Sequence, residues 1–206
     1  MKPYALTFVC LIALACGVQC FRAETALLLN RPTSWAQPIE LDGASNLHKV
    51  SDTLYRSAQP TAVGMANLKK MGVKTIMNLR SFNSDKEEIG QAELGYERLY
   101  MKAWHPEEEE AVRFLQIVTN PERTPVLVHC QHGADRTGAM CAVYRVAVQG
   151  WTKQDAIREM AEGGFGFHSV WVNLMPWIEK LDIDKIREKA GIQTNTAQQS
   201  RNQTKN

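Results

Sequence analysis

Residues 126–140, VLVHCQHGADRTGAM, contain a thiol, a guanidinium group and a glycine at a spacing that suits reaction with a phosphate ester. The apolar run at the start of this segment predicts a buried strand that ends at His129 and Cys130. Arg136 follows the cysteine after five intervening residues, where the next helix is predicted to begin. The strand, the loop 131–135 and the helix therefore bring one nucleophile and one cation to the two ends of a short loop.

The loop is predicted to bind a phosphate group. The N-terminus of a helix presents unpaired backbone N–H groups and the positive end of the helix dipole, and both attract anions. Gly133 allows the loop to curl, and Arg136 offers two parallel donors to phosphate oxygens. A helix N-terminus with cations nearby favours the thiolate form of a cysteine, so Cys130 is predicted to attack phosphorus. Arg136 and the backbone N–H groups around Gly133 are therefore predicted to bind the phosphate.

This order of His-Cys, five residues and Arg-Thr-Gly resembles the signature of the cysteine-dependent protein tyrosine phosphatase superfamily, in its compact dual-specificity branch. Residues 54–60, LYRSAQP, look like a strand of bacterial dual-specificity-like phosphatases. The resemblance implies that Cys130 forms a phosphocysteine intermediate, that Arg136 binds the phosphate, and that no metal or other cofactor is needed. It further implies that the loop backbone surrounds the phosphate, which gives as phosphate-binding residues Gln131, His132, Gly133, Ala134, Asp135 and Arg136. It also implies that Thr137 helps the sulfur leave in the second step and that His129 orients the loop.

The motif leaves open which group protonates the leaving oxygen. Related phosphatases usually supply an aspartate from a separate loop after Trp-Pro, whereas this chain has AWHPE at residues 103–107. Asp135 is the first candidate, because its place beside Arg136 is similar to the loops of myotubularin lipid phosphatases and of some secreted bacterial phosphatases. Glu107 and His105 are the alternatives, although an acidic residue after proline is also typical of the first turn of a helix.

Inositol polyphosphates or phosphoinositides are the first predicted substrates. The loop is similar to that of tyrosine-phosphatase-type inositol polyphosphatases, the phytase-like branch, and His132, Arg56 and Arg80 would suit a ring that carries several phosphates. Both arginines have a structural alternative, since each can pair with loop carboxylates. Phosphotyrosine or other phosphoprotein substrates are the second prediction. The rival functions are a phosphate-binding pseudoenzyme and a rhodanese-like sulfurtransferase.

Strands alternate with helices along the chain, which predicts an α/β fold with a central mixed, mostly parallel sheet flanked by helices. Ligands of such sheets bind beyond the carboxyl ends of strands, where Cys130 lies. Cys141 falls on an apolar helix face and is predicted to be a core residue. Residues 163–168 are interpreted either as a turn with buried aromatic side chains or as a flexible wall of the cleft. Strands are predicted at residues 54–56, 73–79, 96–101 and 125–129, and helices at 61–72, 106–119, 135–149, 152–163 and 170–181.

The N-terminus predicts export. Lys2 precedes an apolar run at residues 4–15, and small residues near the end of that run suit cleavage of a signal peptide, which we assign to residues 1–23. The alternatives are an uncleaved anchor and a lipid anchor at Cys16, which follows Ala-Leu-Ala as in a weak lipoprotein box. The chain is expected in the periplasm or outside the cell, without a stable membrane span once the signal is removed.

The remaining chain is predicted to consist of an extended segment at residues 24–50, a phosphatase domain at 51–190 and a disordered tail at 191–206. Lysine and arginine number 24 in the whole chain, and aspartate and glutamate number 22. Residues 1–23 contain two of those cations and no acidic residue, so 24 − 2 leaves 22 against 22 in the exported chain. A neutral balance argues against nucleic acid as a partner, so we expect a phosphorylated small molecule or a phosphoprotein.

Overall fold

The computed structural model describes residues 31–192. The predicted signal peptide with Cys16, the start of the extended segment and residues 193–206 of the predicted tail lie outside the described residues. The chain divides into an N-terminal unit that ends at Trp35 and a main unit that begins at Ala36. In the described part of the first unit, the Trp35 N–H donates to the Pro32 carbonyl at 3.0 Å. All elements named below belong to the main unit.

A single six-stranded sheet forms the centre of the main unit. The strands follow one another in space in the order β1, β2, β3, β6, β4 and β5. The pairs β3–β6, β6–β4 and β4–β5 are parallel, whereas β1–β2 and β2–β3 are antiparallel. The predicted mixed, mostly parallel sheet is therefore confirmed. The bounds are β1 (Gln37–Pro38), β2 (His48–Lys49), β3 (Leu54–Ser57), β4 (Thr75–Asn78), β5 (Gly95–Arg98) and β6 (Val126–His129).

Seven α-helices and one short 3₁₀ helix connect and cover the strands in the described part of the chain. None of these helices is both long enough and apolar enough to cross a membrane. Their bounds are α1 (Ala62–Lys70), α2 (Lys86–Ile89), α3 (Glu108–Val118), α4 (Asp135–Ala147), α5 (Lys153–Glu162), the 3₁₀ helix (Ser169–Trp171), α6 (Leu174–Lys180) and α7 (Ile183–Ala190).

Hydrophobic cores lie on both faces of the sheet, because successive residues of a strand point to opposite faces. Ile76 and Leu127 pack in one core with α1. Met77 and Val128 pack in the larger core with α3, α4 and α6. Every residue of α4 except Arg136 is buried, so this helix is enclosed by its neighbours and its direction is fixed. The N-terminus of α4 is therefore held at the edge of the sheet where β6 ends.

The structure differs from the sequence prediction at the outer edge of the sheet. Residues 36–50 fall in the predicted extended segment, yet they contain β1 and β2, and β2 pairs with β3. Strands of two residues show too little alternation of apolar and polar residues to be recognised from sequence.

Two helices are absent from the sequence prediction, and one helix is divided. Helix α2 has four residues, which is too short for a periodic pattern, and α7 follows α6 after two residues. The helix predicted at residues 170–181 is a 3₁₀ turn followed by α6. Pro176 lies in the first turn of α6, where its missing N–H costs no intrahelical bond.

Candidate active site

The loop 131–135 joins the end of β6 to the start of α4. Strand β6 lies between β3 and β4 and runs parallel to both, so the carboxyl ends of the three strands meet at this edge. Gly133 has a φ of +70°, which favours glycine. A Cβ at this position would overlap the backbone of Ser57 and would lie 2.5 Å from the Ala58 nitrogen. The loop therefore packs against the backbone at the end of β3, and only glycine allows this approach.

Cys130 lies at the base of the loop and is almost completely buried, with 1% of its surface exposed. The sequence predicts a thiol within reach of a ligand, and the structure shows that the residue is part of the larger hydrophobic core rather than a surface group. Its location between the strand end and the helix start leaves the loop as the side from which phosphorus would approach. A phosphate group must therefore enter the loop to meet the sulfur.

The backbone N–H groups from Gln131 to Thr137 lack partners. Within residues 31–192, none of these seven groups donates a hydrogen bond. The first intrahelical bond at this end of α4 runs from the Gly138 N–H to the Ala134 carbonyl at 2.8 Å. Unpaired donors at the positive end of a buried helix form an anion-binding site.

Arg136 lies at the same strand ends as Cys130. Its Nη1 is 3.4 Å from the Leu79 carbonyl, just beyond the end of β4. The Leu79 N–H in turn donates to the His129 carbonyl at 2.9 Å, directly before the cysteine. The structure thus brings together the predicted nucleophile, the predicted phosphate-binding guanidinium and the unpaired N–H groups.

His129 is connected to a carboxylate that the sequence analysis does not single out. Its Nδ1 is 3.1 Å from the Cys130 carbonyl, and its Nε2 is 2.7 Å from Oδ2 of Asp85. The side chains of His129 and Asp85 are both fully buried. Oδ1 of Asp85 accepts hydrogen bonds from Asn78 at 2.8 Å and from Gln59 at 3.0 Å. Asp85 thereby fixes the ring of His129 and, through it, the backbone at Cys130.

The carboxylate of Asp135 faces residues 163–168 rather than open solvent. Only 6% of Asp135 is exposed, and its Oδ1 accepts the backbone N–H of His168 at 2.8 Å. Nδ1 of His168 lies 2.9 Å from Oδ2 of Asp135. The ring of His132 lies 5.2 Å from the ring of His168, measured between centroids. Phe165 is buried, which agrees with the predicted turn with buried aromatic side chains, and His168 stands beside the loop.

Arg56 supports the loop from inside the protein. Only 1% of the residue is exposed, and its Nη2 donates to the Gly133 carbonyl at 2.6 Å. The guanidinium carbon lies 3.6 Å from the centre of the Phe165 ring. Burial lowers the pKa of this guanidinium from its ordinary value. Of the two alternatives predicted for Arg56, the structure favours the structural one; Arg80 also has a protein partner, Oε1 of Gln59 at 2.7 Å.

Asn46 is a further residue that sequence reasoning does not identify. Its amide nitrogen donates to the His132 carbonyl at 2.9 Å and to the Phe165 carbonyl at 3.0 Å, so it ties the loop to the segment that carries His168. Asn46 has a φ of +54°, a conformation in which asparagine is enriched. A lone asparagine among turn residues gave no signal of this role.

The alternative acids lie on the segment before α3. Glu107 is the N-cap of α3 and forms a reciprocal capping box with Glu110. His105 is exposed, with its Nε2 3.9 Å from Oε1 of Glu107. Asn173 Nδ2 donates to the Ala103 carbonyl at 2.8 Å, which joins this segment to the chain that follows His168. Neither Glu107 nor His105 has a hydrogen bond to the loop among the described residues.

Thr137 and Cys141 are both buried. The Thr137 hydroxyl has no hydrogen-bond partner among residues 31–192. Burial raises the pKa of the Cys141 thiol to about 11, which keeps it protonated at neutral pH and confirms its prediction as a core residue.

Comparisons with known proteins agree with this geometry. Residues 37–170 match a family model described as "DSP-PTPase phosphatase fused to NAD+ Kinase". The dual specificity protein phosphatase TpbA of Pseudomonas aeruginosa is 39% identical over 166 residues, which are 80% of this chain and 74% of the relative. A crystal structure of a cysteine-to-serine form of P. aeruginosa TpbA in complex with pTyr has a TM-score of 0.70 and 36% identity, and the match covers 79% of this chain and 99% of that one.

Two more distant matches are named as a PP-IP phosphatase and an inositol diphosphatase. The catalytic domain of the PP-IP phosphatase SIW14 from S. cerevisiae has a TM-score of 0.63 at 20% identity, and the match covers 75% of this chain and 98% of that one. The inositol diphosphatase DSP3 of Arabidopsis thaliana is 26% identical over 153 residues, which are 70% of this chain and 73% of the relative. The SIW14 likeness concerns the fold alone.

Proposed function

This chain belongs to the dual-specificity family of cysteine-dependent protein tyrosine phosphatases, and we propose that it hydrolyses phosphotyrosine or related phosphate monoesters of proteins through Cys130. The observation that carries the proposal is the group of seven unpaired N–H groups, from Gln131 to Thr137, between a buried thiol and the guanidinium of Arg136. Unpaired N–H donors at this place would stabilise the negative charge that the non-bridging oxygens of a phosphate carry in the transition state.

The proposed reaction has two steps. In the first, the Cys130 sulfur forms a bond to phosphorus while the bond from phosphorus to the leaving oxygen breaks, and Asp135 gives that oxygen a proton. In the second, water attacks phosphorus, its proton returns to Asp135, and the bond between sulfur and phosphorus breaks. The Thr137 hydroxyl is free to donate to the departing sulfur, since it has no other partner among the described residues.

Asp135 is preferred over Glu107 and His105 as the acid. Asp135 is the only one of the three that belongs to the loop, and His168 holds its carboxylate in place. Glu107 is the N-cap of α3 and its side chain is 52% exposed, a position where an acidic residue is common without any role in catalysis. Variants of Glu107 and His105 are also worth assaying, because the segment that carries them adjoins the chain after His168.

The surroundings of the loop support a phosphoprotein rather than a polyphosphorylated ring as the first substrate. Arg56 is buried behind the loop and Arg80 is paired, so two cations that favoured a ring with several phosphates are engaged elsewhere. Exposed apolar side chains occur instead on the adjoining segments, where Trp104 is 61% exposed and Val170 is 72% exposed. Such side chains suit an aromatic ring or a peptide. TpbA, a dual specificity protein phosphatase, has been crystallised with pTyr.

Inositol polyphosphates or phosphoinositides are the second candidate substrate. His132 belongs to the loop and His168 stands beside it, and their rings lie close together. Two imidazoles in this place could bind a second phosphate of a ring substrate. The sequence match to the inositol diphosphatase DSP3 of Arabidopsis thaliana makes this candidate worth a direct comparison.

We also propose export to the periplasm or the medium, from the signal peptide predicted at residues 1–23, with lipid attachment at Cys16 as the alternative. N-terminal sequencing and mass measurement of the mature chain distinguish them. A free N-terminus near residue 24 supports the first, and an added lipid mass on Cys16 supports the second.

Phosphate release from three substrates in EDTA tests the function. The substrates are a phosphotyrosine peptide, p-nitrophenyl phosphate and inositol hexakisphosphate, and the proteins are the native chain and its variants Cys130→Ser, Asp135→Asn, Glu107→Gln and His105→Gln. We expect kcat/KM to be highest on the peptide and Cys130→Ser to abolish turnover of all three. Sulfur transfer from thiosulfate without phosphate release would support the sulfurtransferase rival. Phosphate binding without turnover would support the pseudoenzyme.

The leaving group identifies the acid. A general acid contributes about 10²–10⁴ in rate, and its loss matters least for a leaving group as good as p-nitrophenolate. Asp135→Asn should therefore lose about 10²-fold or more in kcat on the peptide and much less on p-nitrophenyl phosphate. The same pattern in Glu107→Gln or His105→Gln, with Asp135→Asn unaffected, would move the role to that residue.

A further inference from the structure

Three side chains with metal-binding atoms meet at the mouth of the loop. They are His132, Asp135 and His168, and one ligand atom from each lies within 4.8 Å of the others. We propose that these three residues bind a divalent first-row transition metal, with Zn²⁺ as the best match, at a site separate from the sulfur of Cys130.

The geometry already orients the carboxylate for this purpose. Oδ1 of Asp135 accepts the backbone N–H of His168 at 2.8 Å, and Oδ2 lies 2.9 Å from Nδ1 of the same histidine. The backbone bond can remain when Oδ2 binds a metal, as outer hydrogen bonds do in protein metal sites. A metal ion would take the place of the proton between Oδ2 of Asp135 and Nδ1 of His168, so these two atoms would stay close together.

Only a small movement is needed to close the site. Zn²⁺ bonds of about 2.0–2.1 Å place tetrahedral ligands about 3.4 Å apart. The widest separation of 4.8 Å must therefore shrink by somewhat more than an ångström. His132 is exposed and the side chain of His168 is 46% exposed, so both rings can rotate without disturbing the core.

The ligand types select the class of metal. Two imidazoles and one carboxylate suit Zn²⁺ and its neighbours, whereas Mg²⁺ and Ca²⁺ prefer oxygen ligands alone. Three protein ligands leave a fourth position for water or for a phosphate oxygen.

Metal binding has a consequence for turnover, which rests on the function proposed above. A cation on Oδ2 prevents Asp135 from giving or accepting a proton, so Zn²⁺ should inhibit the enzyme and EDTA should restore it. The metal is in this role a regulator, and turnover proceeds without it. The binding itself depends only on the three side chains.

Zn²⁺ titration of the full chain in the Cys130→Ser background tests the binding, since this variant removes the sulfur as a competing ligand. The readouts are competition with a chromophoric chelator and the ring signals of the histidines in NMR spectra. We expect one Zn²⁺ per chain, perturbed signals of His132 and His168, and no response to Mg²⁺. His132→Gln and His168→Gln, each in that background, should weaken binding by about tenfold or more.

His105→Gln is the matched control, because His105 is also exposed but lies beside Glu107. Its affinity for Zn²⁺ should equal that of the parent. Equal losses in all three histidine variants, no loss in any, or disappearance of binding in the Cys130→Ser parent would each overturn the proposed site. Thermal unfolding of every variant reveals any misfolded protein. Activity of the metal-free native chain is measured separately, so failure of metal binding and failure of the phosphatase function are distinguishable.

Discussion

At the scale of single residues, Gly133 controls the shape of the phosphate loop. Its positive φ and its approach to the backbone of Ser57 and Ala58 both exclude a side chain. Gly150 has nearly the same φ, +72°, but nothing lies within 4 Å of the place where its Cβ would be. A comparison of alanine variants at the two glycines therefore distinguishes the cost of backbone strain from the cost of steric overlap.

Gly133→Ala should abolish phosphatase activity and destabilise the protein by more than Gly150→Ala. The control substitution introduces only the strain of a positive φ, about 1–2 kcal/mol. At residue 133 the overlap with the Ser57 backbone adds about 1–3 kcal/mol and displaces the loop. Urea unfolding and kcat of both variants check this. Equal losses of stability, or full activity in Gly133→Ala, would contradict the tight packing of the loop on β3.

Asp85 is a second residue that should affect both stability and catalysis, although it lies outside the phosphate loop. Asp85→Ala removes one partner of a buried pair and should lower the free energy of unfolding by about 3–5 kcal/mol. It should also lower kcat, because His129 then loses the bond that orients it against the Cys130 carbonyl. Urea unfolding and phosphatase assays measure both effects.

Asp52→Ala is the control for Asp85, since it removes a carboxylate whose side chain is 92% exposed and paired with Lys49. That variant should match the native chain in both assays. Similar behaviour of Asp85→Ala and Asp52→Ala would mean that the buried carboxylate does not hold the site together.

At the scale of elements, the first turn of α3 contains a carboxyl with an altered titration. Burial raises the pKa of Glu110 from 4.5 to about 7, although its bond to the Glu107 N–H opposes the change. Between these two values the unfolded chain has released the proton and the folded chain has kept it. The contribution of Glu110 to the free energy of unfolding is therefore fully present below pH 4.5 and falls as the pH rises towards 7.

Glu110→Gln should remove this part of the pH dependence. The amide oxygen can still accept the Glu107 N–H, so the capping box survives. The free energy of unfolding of the variant should exceed that of the native chain by about 1 kcal/mol at pH 8 and should equal it at pH 4. This difference is well below the full free energy of the pKa shift, because the carboxyl is only half-buried. Urea unfolding at the two pH values measures it. The exposed neighbour Glu109, changed to Gln, should show no such difference, and an equal gain at pH 4 would show that the buried charge of Glu110 is not the cause.

At the scale of the whole molecule, strands β1 and β2 belong to the unit that carries the site. They extend the sheet beyond β3, and Asn46 between them holds both the loop and the Phe165 segment. A domain that begins at residue 51, as the sequence suggests, would lack all of these contacts.

The chain 36–192 should unfold cooperatively and be active, whereas the chain 51–192 should lose both properties. Deletion of residues 36–50 exposes the edge of β3, and an unpaired strand edge promotes aggregation. Circular dichroism on heating and phosphatase assays compare the two chains. Asn46→Gly in the longer chain keeps the positive φ and removes only the amide, so it should lower activity without loss of folding. A stable, active chain 51–192 would show that the two strands are dispensable.

The order of residues was sufficient to predict the phosphate loop and the class of the fold. Cys130, Gly133 and Arg136 are close along the chain, so their spacing is read directly from the order of residues. Apolar periodicity is likewise local, and it was sufficient to predict β3, β4, β6 and the long helices. The family resemblance rested on the same short segment and is confirmed by the comparisons.

The residues that surround the loop could not be predicted in the same way, because they come from distant parts of the chain. Asp85 and His168 lie 44 and 33 residues from their partners His129 and Asp135, and Arg56 lies 77 residues from Gly133. Such pairs form when the register of the sheet and the packing of α4 bring distant segments to one edge, and no local pattern encodes which way a side chain then points. For that reason Arg56, which the sequence allowed to face a substrate, faces inward and supports the loop instead.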